Sequence, residues 1–345
     1  MELAAKDDKK HRFCSRRTFL FFFFLFLVVI GSSPLGWFPN LQSTDTSVSL
    51  YPHQIPYKPL PGDKNDTILS SMRRQRKLLF FLHIHKSGGS TMCGAASLNR
   101  LRVDKRHNCN VQKDQRCCGL ADTLEAQQKF AAKSFYRFVA NEGDMYEAMD
   151  PEHYIYIVVL RKSRDRYLSH WKHVCRELQK SQREQAVLPK FAAWWQAQPD
   201  NWSFRKICGT RCQTVPKFQI TREIFDYALN RLRLFDHILL LEHWETMYPA
   251  MAQSLGWKLS APKVQNSAIM ENMTYPAFDR NDWDPFMSVL DDALYEYGVA
   301  RYRGIFDDTF AFSKKTTQML ELYFSGGSER GCENPCCADS CSKYR

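Results

Sequence analysis

The sequence predicts an α/β fold with a central parallel sheet. Short apolar runs recur along the chain, as strands buried on both faces do. Helical stretches separate them, and alternating strands and helices build a parallel sheet through crossover connections. Two of the runs, Leu78 to Ile84 and Tyr154 to Leu160, empty into turns rich in cations and hydroxyls. The carboxyl ends of strands are where open α/β sheets hold ligands.

The chain has 345 residues and a net charge of +11. That length allows one large domain or two modest ones with a full core. The charge points to a polyanionic partner or a membrane surface. Residues 1–17 form a short basic tail, and residues 18–38 (TFLFFFFLFLVVIGSSPLGWF) match the ~20 residues that cross a bilayer as a helix. Lys6, Lys9, Lys10, Arg12, Arg16 and Arg17 precede that segment, so the tail is expected in the cytosol and the body in the lumen. A cleaved signal peptide is the alternative, with Gly31-Ser32-Ser33 as a cleavage region. Both readings send the body into the secretory pathway. Sequons at Asn65, Asn201 and Asn272 agree with that.

There are twelve cysteines. Cys14 stands beside the expected anchor, where palmitoylation occurs. The remaining cysteines are odd in number, so at least one stays free or pairs between chains, which leaves a linked homodimer open.

The elements follow in order. Residues 39–76 carry Pro52, Pro56, Pro59 and Pro61 and no periodicity, and read as a stem. The globular domain is expected over residues 77–325. Leu78 to Ile84 is its first strand and Ser90 to Leu101 its first helix. Residues 104–120 are polar and Cys-rich, hence a loop. Leu124 to Lys133 reads as a helix, Phe135 to Ala140 and Tyr154 to Leu160 as strands, and Arg164 to Gln182 as a helix. Ile224 to Leu234 is amphipathic, Ile238 to Leu241 is a strand, and Pro285 to Arg301 is a late helix. Gly326-Gly327-Ser328 is expected to break the chain ahead of a Cys-rich tail, residues 326–345. Its Cys332, Cys336, Cys337 and Cys341 read as disulfides in an oxidising lumen and as a zinc site in the cytosol.

The first cationic turn is Lys86-Ser87-Gly88-Gly89-Ser90-Thr91. The glycines let a ligand approach the main chain. The following helix offers free N–H groups and the positive end of its dipole to an anion. Lys86 adds a charge and the hydroxyls add donors. The order differs from a nucleotide-triphosphate loop, in which the lysine follows the glycines. A plain tight turn is the bland alternative. The second turn carries Arg161, Arg166 and Ser169. Arg166 and Ser169 are i, i+3 on the expected helix and share a face. Arginine grips phosphate through two parallel hydrogen bonds. Two such sites predict a ligand with two separated anionic groups.

These stretches resemble a family. FLHIHKSGGST is similar to the 5′-phosphosulfate loop of Golgi carbohydrate sulfotransferases, and YIVVLRKSRDRYLSHW to their 3′-phosphate motif. The nearest likeness is to the heparan sulfate 6-O- and 2-O-sulfotransferases. ILLLEHWETM and LDDALYEYGVARY extend the resemblance over about residues 78–306.

The resemblance implies a P-loop-like three-layer α/β fold behind a type II Golgi membrane anchor. It implies 3′-phosphoadenosine 5′-phosphosulfate as sulfuryl donor, no metal, and no nucleic-acid partner. The acceptor would be a glycan or proteoglycan chain. Lys86 would hold the phosphosulfate and steady the leaving oxygen, and Ser87, Gly88, Gly89, Ser90 and Thr91 would cradle the same group. Arg161 and Ser169 would take the 3′-phosphate, with Arg166 beside them.

Two departures stand out. Lys162-Ser163 replaces an Asp-Pro turn, which implies a less rigid turn. The family's histidine base has no counterpart after Cys118-Gly119-Leu120. Other sulfotransferases use a glutamate, which makes Glu142 the expected base, with His85, Asp122 and Asp144 behind it. Protein-tyrosine sulfation, a non-catalytic glycan-binding role and a luminal kinase are the alternatives, the last without convincing metal ligands.

Overall fold

The computed structural model describes residues 77–104, 108–110, 123–182, 188–263, 275–276, 278–279, 283–305 and 309–330. The expected tail, membrane segment and stem lie outside the described residues. So do the four C-terminal cysteines, the sequons at Asn65 and Asn272, and Asp122. Among the described residues no helix is long and apolar enough to cross a membrane.

Four strands form one parallel sheet: β1 (Leu78–Leu82), β2 (Phe138–Asn141), β3 (Tyr154–Leu160) and β4 (His237–Leu240). Their order is β2-β1-β3-β4. Val158 of β3 stands opposite Leu82 on one side and Ile238 on the other. Every residue of β1 and β3 is buried, as a central parallel strand covered on both faces requires. The predicted α/β fold is therefore present as a four-stranded parallel sheet flanked by helices. From β1 the chain moves to β2 on one side, then passes over to β3 on the other. That reversal opens a crevice at the carboxyl ends of β1 and β3.

The helices are α1 (Gly89–Leu98), α2 (Leu124–Lys133), α3 (Ser163–Gln182), α4 (Phe191–Ala197), α5 (Trp202–Cys208), α6 (Thr210–Gln213), α7 (Arg222–Arg233), α8 (Trp244–Leu255), α9 (Val289–Tyr302) and α10 (Lys314–Arg330). α8 and α9 pack on β4. α3 buries Tyr167, Trp171 and Cys175, spaced four apart, in a separate aromatic cluster with Phe191, Trp194, Trp195 and Met287. The Trp171 indole donates to the Pro189 carbonyl at 2.9 Å. This second core fixes the helix so that its opposite face looks into the crevice.

Several boundaries differ from expectation. β2 begins at Phe138 because Phe135 is 68% exposed, its ring under the Arg102 guanidinium. α1 stops at Leu98, and Arg100 follows in the left-handed region. The late helix is two elements, a 3-10 turn at Pro285–Met287 and then α9. α4, α5, α6, α8 and α10 have no counterpart in the sequence reading. α10 runs through Gly326-Gly327-Ser328, so those residues do not break the chain. Each helical glycine costs about 1 kcal/mol against alanine. Burial of Leu320 and Tyr323 on the same helix offsets that cost.

Cys93 bonds to Cys109 and Cys208 to Cys212. The first bridge ties α1 to the segment that pairs with β2 through Asn110 and Ala140. Cys175 is free and fully buried, so this thiol cannot link two chains.

One sequon is corrected. Asn201 has no exposed surface. Its Nδ2 donates to Asp200 Oδ2 at 3.0 Å, and its Oδ1 accepts the Leu290 N–H at 2.8 Å. A glycan has no room there. Mass spectrometry of the protein expressed through a secretory pathway is expected to find Asn201 unmodified, and Asn201→Gln should lower stability rather than remove a glycan.

Candidate active site

The crevice holds a cleft of about 620 Å³. The β1 loop forms its floor. Lys86 adopts φ 65° and Gly88 φ 83°. A Cβ on Gly88 would lie 2.8 Å from Leu241 Cδ1. Gly88 caps α1 with no side-chain cap, so the first N–H groups of that helix face the cleft unpaired by a cap. His83 packs under the loop, its Nδ1 3.2 Å from Asn110 Oδ1. A Cβ on Gly89 would stand 1.7 Å from His83 Nε2. Gly89→Ala is therefore expected to cost about 1–3 kcal/mol through overpacking. Pairing it with His83→Ala should recover part of that loss in thermal melts.

Lys86, Gly88, Gly89, Ser90 and Thr91 line the cleft. Ser87 lies beneath them, fully buried, and its hydroxyl has no hydrogen-bond partner among the described residues. The Lys86 ammonium is lowered to about 8, first by burial and then by the neighbouring Arg176 charge. Burial and the neighbouring cation both oppose the charged ammonium, and an anion beside it would offset both.

The second turn faces the first. Arg161 lines the cleft and donates from Nη1 to the Lys86 carbonyl at 2.9 Å, which joins the two loops. Ser169 lines it too. Arg166 does not. It is fully buried, its guanidinium 3.7 Å from the Tyr167 ring centroid and 5.5 Å from that of Trp202. The i, i+3 spacing with Ser169 therefore does not bring Arg166 to the cleft. The turn itself is held more firmly than its sequence implies. The Ser163 hydroxyl donates to Asp292 Oδ1, and Glu242 Oε1 accepts the Lys162 N–H at 3.0 Å.

At the other end of the cleft, β2 delivers Glu142. His85 Nδ1 lies 2.5 Å from Glu142 Oε1, and Asn110 Nδ2 donates to Glu142 Oε2 at 3.1 Å. Burial pushes the Glu142 carboxyl up, but the His85 hydrogen bond and the charges of His83, His85 and Lys86 outweigh it. The net effect lowers Glu142 to about 2. His85 Nε2 is buried with no partner among the described residues. A carboxylate that accepts Nδ1–H leaves Nε2 as a proton acceptor. Glu142, the expected base, lines the cleft with His85 against its carboxylate. Asp144 turns away and binds Lys206 at 3.0 Å.

The sequence reading missed Lys172, His173 and Arg176, which line the cleft from α3. Their signal was available: they continue the three- and four-residue spacing from Ser169. Burial, Lys86 and Arg176 lower His173 to about 4, and burial and His85 lower His170 to about 3. Both rings are therefore neutral near pH 7.

Comparison with known proteins finds no matching family model and no matching curated protein. The family resemblance rests on the sequence motifs alone.

Proposed function

We propose that the protein is a sulfotransferase. It moves a sulfuryl group from 3′-phosphoadenosine 5′-phosphosulfate to a glycan hydroxyl in the Golgi lumen, behind an anchor at residues 18–38. The fold would be the P-loop-like three-layer arrangement of that family. One observation carries the reading. The Lys86 loop, the Arg161–Ser169 turn and the Glu142–His85 pair open into a single cleft.

The residues fit the donor. The orphaned Ser87 hydroxyl, the glycine-lined loop and the depressed Lys86 suit a phosphosulfate, and Arg161 with Ser169 suits the 3′-phosphate. The donor brings an activated sulfuryl group on a phosphate leaving group. Lys86 and the N–H groups of α1 stabilise the negative charge that develops as the sulfur–oxygen bond to that phosphate breaks. His85 Nε2 takes the hydroxyl proton as the acceptor oxygen bonds to sulfur, and Glu142 stabilises the imidazolium. Arg161 fixes the two loops in register, which orients donor and acceptor.

The test is a calorimetric titration with 3′-phosphoadenosine 5′-phosphate. The parent is expected to bind, and Lys86→Met to bind ~10–100-fold more weakly, the value of one charge-assisted hydrogen bond. Lys86 is charged below about pH 8, so affinity should hold at neutral pH and fall as pH rises through that value. The stability effect has the opposite sign. Between about 8 and 10.5 the unfolded chain holds the extra proton, so the free protein gains stability with rising pH across that window. Lys86→Met should accordingly melt higher than the parent at pH 7 while losing the nucleotide. A folded parent that does not bind the nucleotide would overturn the proposal.

A further inference from the structure

A short segment between α1 and α2, residues 108–110, reaches the cleft. Asn108 and Cys109 adopt φ 51° and 63°. Asparagine tolerates that left-handed region, but a cysteine stays in it only where its surroundings hold it. Two restraints do so here. The bridge to Cys93 fixes Cys109 to α1, and its carbonyl accepts the Ala140 N–H of β2 at 2.8 Å. Its neighbours are thereby aimed. Asn108 lines the cleft, its Oδ1 3.3 Å from the Ser90 hydroxyl. Asn110 stands opposite Ala140, two residues before Glu142.

Both ends of the Asn110 amide are used. The Glu142 carboxylate only accepts, so Nδ2 faces it, 3.1 Å from Oε2. Oδ1 is then left for His83 Nδ1 at 3.2 Å, and that nitrogen must carry the proton. Burial lowers His83 below the ordinary histidine value, so its ring is neutral near pH 7 and Nε2 is bare. That bare nitrogen lies beneath Gly89, where a Cβ would stand 1.7 Å away. One amide thus connects Glu142 to the floor of the Lys86 loop. It also separates two histidines that compete for one carboxylate. His83 Nδ1 is 4.0 Å from Glu142 Oε2, while His85 Nδ1 is 2.5 Å from Oε1. Without the amide, Oε2 has His83 as a ready donor. The carboxylate would then be shared, and His85 would lose its fixed orientation.

We infer that Asn110 is a positioning residue for sulfuryl transfer: it holds Glu142 against His85 and apart from His83, and the Cys93–Cys109 bridge sets it in place. This role rests on the sulfuryl-transfer reading and adds a residue to its machinery.

The test uses the full chain in detergent with ¹⁵N-labelled histidine rings, whose His83 and His85 signals are assigned by His83→Ala and His85→Ala. The parent is expected to show both rings protonated on Nδ1, and Asn110→Ala to move both signals away from that form. Single-turnover sulfate transfer to desulfated heparin should slow ~10-fold, the value of one hydrogen bond to a charged group. Affinity for 3′-phosphoadenosine 5′-phosphate should stay within about 2-fold, well below a tenfold step. Because Asn110 acts through Glu142, the double variant Asn110→Ala with Glu142→Gln should be no slower than Glu142→Gln alone. Losses that multiply would make Asn110 an independent structural residue and overturn the role. Unmoved ring signals in a folded Asn110→Ala would overturn it as well, and that readout needs no acceptor. A nucleotide loss as severe as that of Lys86→Met would assign Asn110 to the donor loop instead. Cys93→Ala with Cys109→Ala should reproduce the moved ring signals, and parent-like signals there would remove the bridge from the proposal. Asn110→Ala leaves the bridge intact, so it decides the role even if the cysteine pair fails to fold. A parent that binds no nucleotide would end the sulfuryl-transfer reading, whereas a binding parent with unmoved ring signals in Asn110→Ala would end this role alone.

Discussion

Under the proposed sulfuryl transfer, replacing His85 by alanine is expected to lower turnover by about 10²–10⁴-fold, the usual contribution of a positioned general base, while nucleotide binding survives. The geometry separates the two roles. His85 meets Glu142 at 2.5 Å through Nδ1, and its Nε2 has no partner among the described residues. Glu142→Gln should cost less, because the amide oxygen can still accept Nδ1–H but the negative charge that stabilises the imidazolium is gone. Glu142 stays ionised down to about pH 2. A fall in activity at mildly acid pH therefore does not report its protonation. Single-turnover transfer, run beside nucleotide titrations, checks both variants. An active His85→Ala with a dead Glu142→Gln would make the carboxylate itself the base, as the sequence first implies.

The cleft shows what a sequence can and cannot expose. The two anion loops are local. A strand, a lysine and two glycines sit within one run, as do a strand, Arg161 and Ser169, so both are legible before any fold is known. The Glu142–His85 contact is not local. It spans 57 residues and exists because β1 and β2 are neighbours in register, with Leu82 opposite Asn141. Arg166 fails for a related reason. Spacing places it near the Ser169 face, but the ring of Tyr167 draws its guanidinium away from the cleft. The central strands were legible because burial on both faces leaves continuous apolar runs. Helix α4 was not, because Phe191, Trp194 and Trp195 pack in a side cluster without a long periodic stripe, and α5 was not, because its 7 residues are too few to show a helical period. α10 was hidden by two glycines that its buried residues outweigh.

The largest stability effect is expected away from the cleft. Asp200 is fully buried and Arg205 nearly so. Arg205 Nη2 donates to Asp200 Oδ1 at 2.5 Å, and its Nη1 donates to the carbonyls of Cys212 and Val215, each at 2.7 Å. Asp200 Oδ2 accepts from the Tyr323 hydroxyl at 3.0 Å and from the Phe218 N–H at 3.1 Å. One carboxylate thus joins α5, the following loop and α10. Asp200→Ala leaves the guanidinium buried without its counter-charge, and the expected loss is about 3–5 kcal/mol, the cost of breaking a buried pair. Tyr323→Phe removes the hydroxyl that donates to Asp200 at 3.0 Å and accepts from Asn201 Nδ2 at 3.4 Å, and the charged acceptor alone makes the expected cost about 1.5–3 kcal/mol. The defect should also reach the cleft. Asn201, next in the chain, holds the start of α9 through Leu290, and α9 carries the Asp292 that anchors Ser163. Denaturant unfolding gives the first quantity and nucleotide affinity in the surviving fraction the second. If Asp200→Ala unfolds at the parent's midpoint, the hub does not hold these elements together, and the placement of the Arg161 turn must come from the sheet alone.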